Sequence, residues 1–465
     1  MTRIATLPDD EKFPQLPAVI DLAAMQARLQ RQLPGFAEGR WQIKETDIAE
    51  FDYKPGKKCC ICYALTFAEK TTGLIKKQLM LGIIFSDDEL EANFAKAQRH
   101  AVFQPAFAPK IYLLRELNMV LWGFPNDPKI KHLAALVDKS SLRALLQKNW
   151  ERLQLSPEIT LREVATEIVK YVPQRRCTFR HTLYLQKSDG ATEKLVIYSK
   201  IYDDKTDGEP FFKIIENIWH APVCQSGALL IPEPLFFDRE TNTGFQRGLH
   251  GQNLDLLLDQ IDLDDLSQKI GAALAELHQC PLEGLEGRPF DYELAEFLKT
   301  RQSLEKINAA YQAKLNFIED ALRKNYAALT ALSPAPIHGA FRLTQLLLVD
   351  GRLALIDFDG FLMGNPLADA GSFIAHLLYL PLKGLITPGQ GRTAVRLFCQ
   401  AYLEKADWGL PAEVLHWYTA ANLAGREVRK CLDKSSKISK RDYEGMIEVL
   451  LDMAVDILSG KVPLL

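Results

Sequence analysis

An order of elements that occurs twice is the feature that most constrains the fold. YKPGKKC (53–59) and YVPQRRC (171–177) lie 118 residues apart, and each leads into a β-rich stretch of the same plan. In the first, CCICYALTF (59–67) and KQLMLGIIF (77–85) read as strands around the turn EKTTG, and DDELEANFAKAQRH (87–100) reads as a helix with acidic residues in its first turn. Strands at 110–115 and 118–122 follow, and GFPNDP (123–128) breaks the chain. In the second, 164–186 reads as a strand pair, 191–202 as a strand, 209–220 as a helix, and 228–238 and 243–251 as further strands. The shared order predicts a duplicated β-rich module. A helix is expected at 19–33 on the spacing of Ile20, Leu22, Met25 and Leu29, and residues 1–17 read as a loose polar arm. From 252 onward the pattern is helical, with a helix at 266–280, a long helix across 290–330, a short β insertion at 346–358, and helices from 366 to the end; 429–443 reads as a solvated loop or helix end.

Composition narrows the function classes. With 56 basic and 59 acidic residues the net charge is −3, so no global basic field favours nucleic acid. No apolar run approaches the roughly 18 residues that span a bilayer, and the first residues lack a signal-peptide core. Eight cysteines in 465 residues are too few for a disulfide scaffold, which predicts a reducing, cytoplasmic location. Cys59 and Cys62 make a Cys-x-x-Cys with no second pair or nearby His, so they read as buried strand residues.

Chemistry concentrates in IHGAFRLTQLLLVDGRLALIDFDGFLMGNPLADAGSF (337–373). LLLVD and LALIDFD are short strands joined by Asp350-Gly351, a hairpin signal. The hairpin puts His338-Gly339 before one strand and Asp357 at the end of the other. Asp357 and Asp359 stand two apart where a strand ends, and the amide oxygen of Gln345 comes from the hairpin's other side. Such hard oxygens suit Mg²⁺ together with phosphate oxygens.

This run resembles the aminoglycoside phosphotransferase and choline kinase family, whose pattern is His-Gly-Asp, four residues, Asn, a strand, Asp-Phe and a downstream Asp-Pro…Asp. His338-Gly339 and Asp357-Phe358 match, and Asn365-Pro366…Asp369 stands where the family has Asp-Pro…Asp. The resemblance covers roughly 160–465. It implies an α+β, protein-kinase-like two-lobe fold, with an antiparallel β-rich N-lobe at 160–250 and a helical C-lobe at 251–465. The remainder divides into an arm and helix (1–39) and a degenerate N-lobe-like module (40–150). The resemblance further implies ATP and Mg²⁺ as cofactors and phosphorylation of a hydroxyl on a small polar acceptor. On it, Asp357 and Gln345 hold the metal, and His338 and Asp369 support the catalytic loop.

Two departures stand out. The family's catalytic Asp falls on Ala340, which has no acceptor, and its metal-binding Asn falls on Gln345. Asp359 is the nearest substitute for the lost carboxylate. Lys200, mid-strand in VIYSKIYDD, fits the phosphate-pairing lysine, with Glu209 or Glu216 as its acidic partner; the sequence does not choose between them. The usual glycine-rich phosphate loop is absent; Arg175 and Arg176 stand there, as phosphate forks or as a solvated turn. In the first module Lys200 meets Gly82, Ile83 or Ile84, so that copy lacks the phosphate contact and reads as structural, with Asn126-Asp127 as turn chemistry. Ala340 also motivates an alternative: a pseudokinase that binds nucleotide or a protein partner without turnover.

Overall fold

The computed structural model describes residues 10–305, 308–435, 443–462 and 464, and the expectations for residues 1–9 and 436–442 lie outside them. The chain divides into two compact units, one formed by Thr6–Phe212 with Pro234–Gly248, the other mainly by Lys213–Glu233 and Leu249–Leu465.

The first unit holds two antiparallel sheets of one topology. Helices α1 (Leu16–Ile20) and α2 (Leu22–Gln32) precede β1 (Trp41–Lys54), β2 (Lys58–Glu69) and β3 (Ile75–Ile84); α3 (Asp87–His100), β4 (Ile111–Leu114) and β5 (Met119–Gly123) follow, then α4 (Lys139–Lys148). The second sheet is β6 (Thr160–Val172), β7 (Arg176–Gln186), β8 (Thr192–Tyr202), β9 (Pro234–Asp238) and β10 (Thr243–Arg247); between β8 and β9 the chain forms α5 (Glu209–Trp219) and α6 (Pro222–Gln225), most of α5 and all of α6 in the segment Lys213–Glu233 of the other unit. The sheet orders are β1-β2-β3-β5-β4 and β6-β7-β8-β10-β9. The registers correspond as well. Tyr53 faces Cys59 and Tyr171 faces Cys177, and a register shift falls between Ile43 and Glu45 in one sheet and between Leu161 and Glu163 in the other. Cys60 pairs with Ile83 where Thr178 pairs with Lys200, so Ile83 holds the lysine's position in the first sheet.

Strand alternation explains the Cys-x-x-Cys. Residues three apart point to opposite faces of a strand. Cys59 lies in the core beneath α1 and α2, with Tyr63, Phe67 and Leu29, whereas Cys62 lies in the core shared with the second sheet. Residues 10–17 are docked rather than loose: Phe13 and Leu16 are buried, and the Asp10 carboxylate accepts from Tyr53 Oη at 2.6 Å and from the Gly56 amide at 2.8 Å. The long helix expected at 290–330 is broken into α8 and α9, given below.

Asp127 joins the sheets and does more than turn a corner. Its Oδ1 accepts from the amides of Lys129 (2.8 Å) and Ile130 (3.1 Å), and its Oδ2 accepts from Tyr171 Oη (2.6 Å) and the Gln174 amide (2.9 Å). Gln174 sits at the β6–β7 turn with φ 61°, and its side-chain Nε2 donates to Cys60 Sγ at 3.0 Å. Burial pushes the Asp127 carboxyl up, against the pull of these four donors.

The second unit is helical around a small β element. Its elements are β11 (Gln252–Asn253), α7 (Leu263–His278), α8 (Tyr292–Glu305), α9 (Gln312–Lys324), β12 (Ala335–Ile337), β13 (Leu346–Val349), β14 (Arg352–Leu355), β15 (Leu362–Gly364), α10 (Leu367–Tyr379), α11 (Pro388–Lys405), α12 (Ala412–Asn422), α13 (Val428–Ser435) and α14 (Tyr443–Leu458). A π-turn, Leu423–Glu427, joins α12 to α13. One apolar core runs through the unit, with Phe297, Phe373, Trp417 and Tyr418 at its centre. No helix among the described residues is long and apolar enough to cross a membrane.

Removing the Asp127 carboxylate strands up to four donors, and each buried donor left without a partner costs about 1–3 kcal/mol. Asp127→Ala is therefore expected to lower the stability of the two-sheet unit by about 3 kcal/mol or more, and Tyr171→Phe by about 1 kcal/mol. Thermal unfolding of the two variants beside wild type checks the order.

Candidate functional site

The β13–β14 hairpin sets the first part of the site. Leu346 pairs with Leu355 and Val349 with Arg352 across the turn at Asp350 (φ 48°) and Gly351 (φ 77°), two positive φ values in succession as a type I′ turn demands. The Ile356 amide donates to the Gln345 carbonyl at 3.0 Å, adding one rung at the open end. That rung brings Gln345 beside Asp357, with amide nitrogen to carboxylate Oδ2 at 3.5 Å. Asp357 is exposed and left-handed at φ 69°, heading a short 3-10 turn in which Phe358 is buried and Asp359 is half-buried.

The Asp357 carboxylate and the Gln345 amide stand side by side, hard oxygen donors of the kind Mg²⁺ takes. Among the described residues no three His, Cys, Asp or Glu side chains converge as a metal cage. Gln345 would present its oxygen after a half-turn of its amide.

The loop His338–Ala340 lies against this turn. A Cβ on Gly339 would stand 2.5 Å from the Gly360 carbonyl oxygen, and Gly339 has φ 76°, so both sterics and backbone demand glycine there. The loop is held by a buried carboxylate on α10. Asp369 Oδ2 accepts from the His338 amide at 2.5 Å, and Oδ1 accepts from the Gly339 amide at 2.9 Å. Behind Asp369 stands His278, with Nε2 at 3.4 Å and Nδ1 2.9 Å from Tyr402 Oη. Burial pushes the Asp369 carboxyl up, but the hydrogen bond and charge of His278, together with His338, hold it below its ordinary value. Asp369 thus grips the loop by its amides, while the His338 ring places Nε2 at 3.0 Å from the Ile356 carbonyl and ties the loop to the hairpin. Burial lowers the His338 pKa, which keeps the ring neutral, with its proton on Nε2.

Sequence reading missed two arginines here. Arg288 Nη1 and Arg426 Nη2 both donate to the Gly339 carbonyl, each at 3.1 Å. Arg288 is paired with buried Glu293, and Arg426 also donates to Ser372 Oγ at 3.0 Å. Arg426 belongs to the π-turn, 87 residues downstream of Gly339. Asn365 is likewise structural: just before α10 its side chain accepts from the Leu367 amide at 2.9 Å and donates to the Leu329 carbonyl at 2.8 Å.

The remaining sequence candidates stand apart from this loop in the chain. Lys200 is half-buried on β8, an inner strand paired with Thr178 on one side and Gly244 on the other, and its Nζ lies 5.9 Å from the Tyr202 ring centre. Glu209 opens α5, with its carboxylate held by the Arg239 guanidinium at 2.7 and 2.8 Å. Glu216 is exposed further along α5. Arg175 is exposed at the β6–β7 turn, and Arg176 begins β7, half-buried opposite Val172 and Tyr202.

Asp369→Asn turns an amide toward two backbone donors. Removing one side of a buried charged network costs about 3–5 kcal/mol. The variant is expected to melt well below wild type, with Gly339→Ala also lowered by its clash. Differential scanning calorimetry reads both.

Known proteins bear on this arrangement. Residues 218–413, which contain the whole loop and hairpin, match the family model described as the phosphotransferase enzyme family. No curated protein matches the chain. Similar solved structures include an aminoglycoside phosphotransferase, APH(4)-Ia, with AMP-PNP and hygromycin B (14% identity, TM-score 0.45, covering 69% of this chain and 99% of that one). A glucosamine kinase is also similar (16%, 0.43, 79% and 99%), as is a choline/ethanolamine kinase family protein from Mesorhizobium loti (16%, 0.37, 59% and 84%). The fold is α+β: antiparallel sheets with a helix after the third strand of each, and a helical unit carrying the hairpin.

Proposed function

We propose that the chain, whose residues 218–413 carry the phosphotransferase-family pattern, is a small-molecule phosphotransferase. It transfers phosphate from ATP, with Mg²⁺, to a hydroxyl on a small polar acceptor. The observation that carries this reading is the shared placement of Asp357 and Gln345 at the hairpin end, against a loop whose amides are fixed by Asp369.

In this reading Asp357 and Gln345 bind Mg²⁺, which when bound supplies charge neutralisation at the phosphates. Lys200, on the β8 strand, pairs with the nucleotide phosphates; Arg175 and Arg176 at the β6–β7 turn add donors in place of a glycine-rich loop. Asp359 is the carboxylate in the 358–360 turn that takes the place of the one missing at position 340. His338, Asp369, Arg288 and Arg426 hold the loop and do not exchange protons. The first sheet, with Ile83 where Lys200 would stand, is a duplicated copy that has kept its packing role.

Ala340 favours a second reading, a slow or inactive kinase-like protein that retains nucleotide binding. A general base typically contributes about 10²–10⁴ in rate, and phosphoryl transfer depends mainly on positioning and charge. If the native site lacks only its base, Ala340→Asp should raise ATP turnover on a sugar, aminoglycoside and amino-alcohol panel by about 10²-fold. ATP consumption and acceptor phosphorylation are read by coupled assay and mass spectrometry. Absence of turnover in wild type and variant alike would leave the binding-protein reading.

A further inference from the structure

The carboxylate of Asp127 has a twin in the same two-sheet unit. Asp10 Oδ1 accepts from the amides of Lys12 (2.9 Å) and Phe13 (3.3 Å), and its Oδ2 accepts from Tyr53 Oη and the Gly56 amide. Asp127 takes the four corresponding donors, Lys129, Ile130, Tyr171 Oη and Gln174, with the same division between its oxygens. The sequence around each carboxylate matches as well. Asp10, Lys12, Leu16, Ala18 and Asp21 stand 117 residues before Asp127, Lys129, Leu133, Ala135 and Asp138. Asp21 and Asp138 cap matching helices by accepting from the Ala24 and Ser141 amides, and buried Met25 and Leu29 of α2 correspond to Leu142 and Leu146 of α4. The shared plan of the two sheets therefore begins at the carboxylate.

Each carboxylate holds the tip of a hairpin. The Lys57 amide donates to the Lys54 carbonyl at 3.0 Å, and the Arg175 amide to the Val172 carbonyl at 3.1 Å. Pro55 and Pro173 take the second position of these turns, and Gly56 (φ 63°) and Gln174 (φ 61°) the third, which makes both type II. Glycine adopts that conformation freely, whereas a residue with a Cβ is strained in it. The second turn is also the more firmly held. Gln174 Nε2 donates to Cys60 Sγ, and the Asp203 amide donates to the Arg175 carbonyl at 2.8 Å. Asp204 donates its amide to the Lys129 carbonyl at 2.9 Å and pairs with Lys131 Nζ at 2.9 Å. At the position matching Asp203 in the first sheet, Phe85 donates to the Asn118 carbonyl instead. The second tip carries Arg175 and Arg176. Arg176 pairs with Tyr202 and Thr178 with Lys200, so Arg176 and Lys200 share one face of the sheet. Tyr171 and Cys177 share the other face, in the core beneath α4, and Asp127 binds from that side.

We infer that Asp127 is a positioning residue for the nucleotide: from the face opposite Lys200 it fixes the β6–β7 turn, so that Arg175 and Arg176 meet the phosphates from a rigid frame instead of a loop that moves to close. This deepens the phosphotransferase reading and rests on it for the phosphates. The Gln174 amide is spent on Asp127 and the Arg175 amide on Val172, so the tip offers phosphate its guanidinium forks rather than backbone N–H groups. The first sheet keeps the same carboxylate latch but has Ile83 where Lys200 stands. It is a matched control within one chain, a latched turn beside no phosphate-pairing lysine.

The test measures Mg²⁺-ATP affinity by calorimetry on the full chain, at a temperature where every variant is folded, and hydrogen exchange of the 171–176 segment by mass spectrometry. Wild type is expected to bind Mg²⁺-ATP and to exchange slowly at the turn. Asp127→Asn is expected to weaken Mg²⁺-ATP by about tenfold and to speed exchange there. Tyr171→Phe, which leaves three of the four donors in place, is expected to weaken it by about threefold, and it keeps the test open if Asp127→Asn does not fold. Asp10→Asn is expected to lower the melting temperature and leave the nucleotide affinity unchanged. In an Arg175→Gln/Arg176→Gln background, Asp127→Asn is expected to add no further loss, because its effect runs through those two side chains. Unchanged affinity in both Asp127→Asn and Tyr171→Phe, an equal loss in Asp10→Asn, or a fully additive loss in the triple variant would overturn the inference. So would fast exchange at the turn in wild type, whatever the nucleotide does. Absence of Mg²⁺-ATP binding in wild type would instead sink the phosphotransferase reading, and the phosphate role of the turn with it.

Discussion

The candidate site depends on one buried carboxylate. Asp369 is fully enclosed, and its two oxygens are spent on consecutive backbone amides, His338 and Gly339. An isolated carboxylate at such depth would be neutralised by desolvation. Here two N–H donors and His278 keep it ionised, and in return it fixes the direction of a loop in which Gly339 is left-handed and closely packed. The carbonyl of that same glycine then accepts from two arginines. Both polar groups of one residue are thereby tied down, and the next residue, Ala340, is presented from a rigid frame. The loop's frame is fixed from both sides, and the side chain it presents at 340 is a methyl group.

That contrast shapes the functional account. A loop that had lost its role entirely would have no physical need for an ionised carboxylate at 369, since burying that charge is costly unless its hydrogen bonds hold a needed geometry.

Much of this was legible from local signals. Helix α3 follows from its acidic first turn and basic last turn, and the β13–β14 hairpin follows from Asp350-Gly351, because only a type I′ turn needs two left-handed residues in a row. The pairing of Asp357 with Gln345 follows once the hairpin is placed. Long-range features were not readable. Arg426 reaches Gly339 because of a π-turn, and nothing in LAGRE marks one. Asp127 looked like turn chemistry because its neighbours Asn126 and Pro128 are turn formers; its bonds to Tyr171 and Gln174 depend on how two sheets meet. The supposed helix across 290–330 keeps a helical apolar pattern, but Asn308 caps a new turn by accepting from the Ala310 amide and restarts the chain as α9. Strand β2 hid its period, since both its faces are buried and an apolar run carries no alternation.

The central claim is that Asp357 and the loop it faces form a working nucleotide–metal site. Calorimetric titration of ATP with and without Mg²⁺, on wild type and on Asp357→Ala, tests it most directly. The account predicts binding that requires Mg²⁺ in wild type and is lost in the variant. Absence of binding in wild type, or Mg²⁺-dependent binding that survives the substitution unchanged, would contradict it.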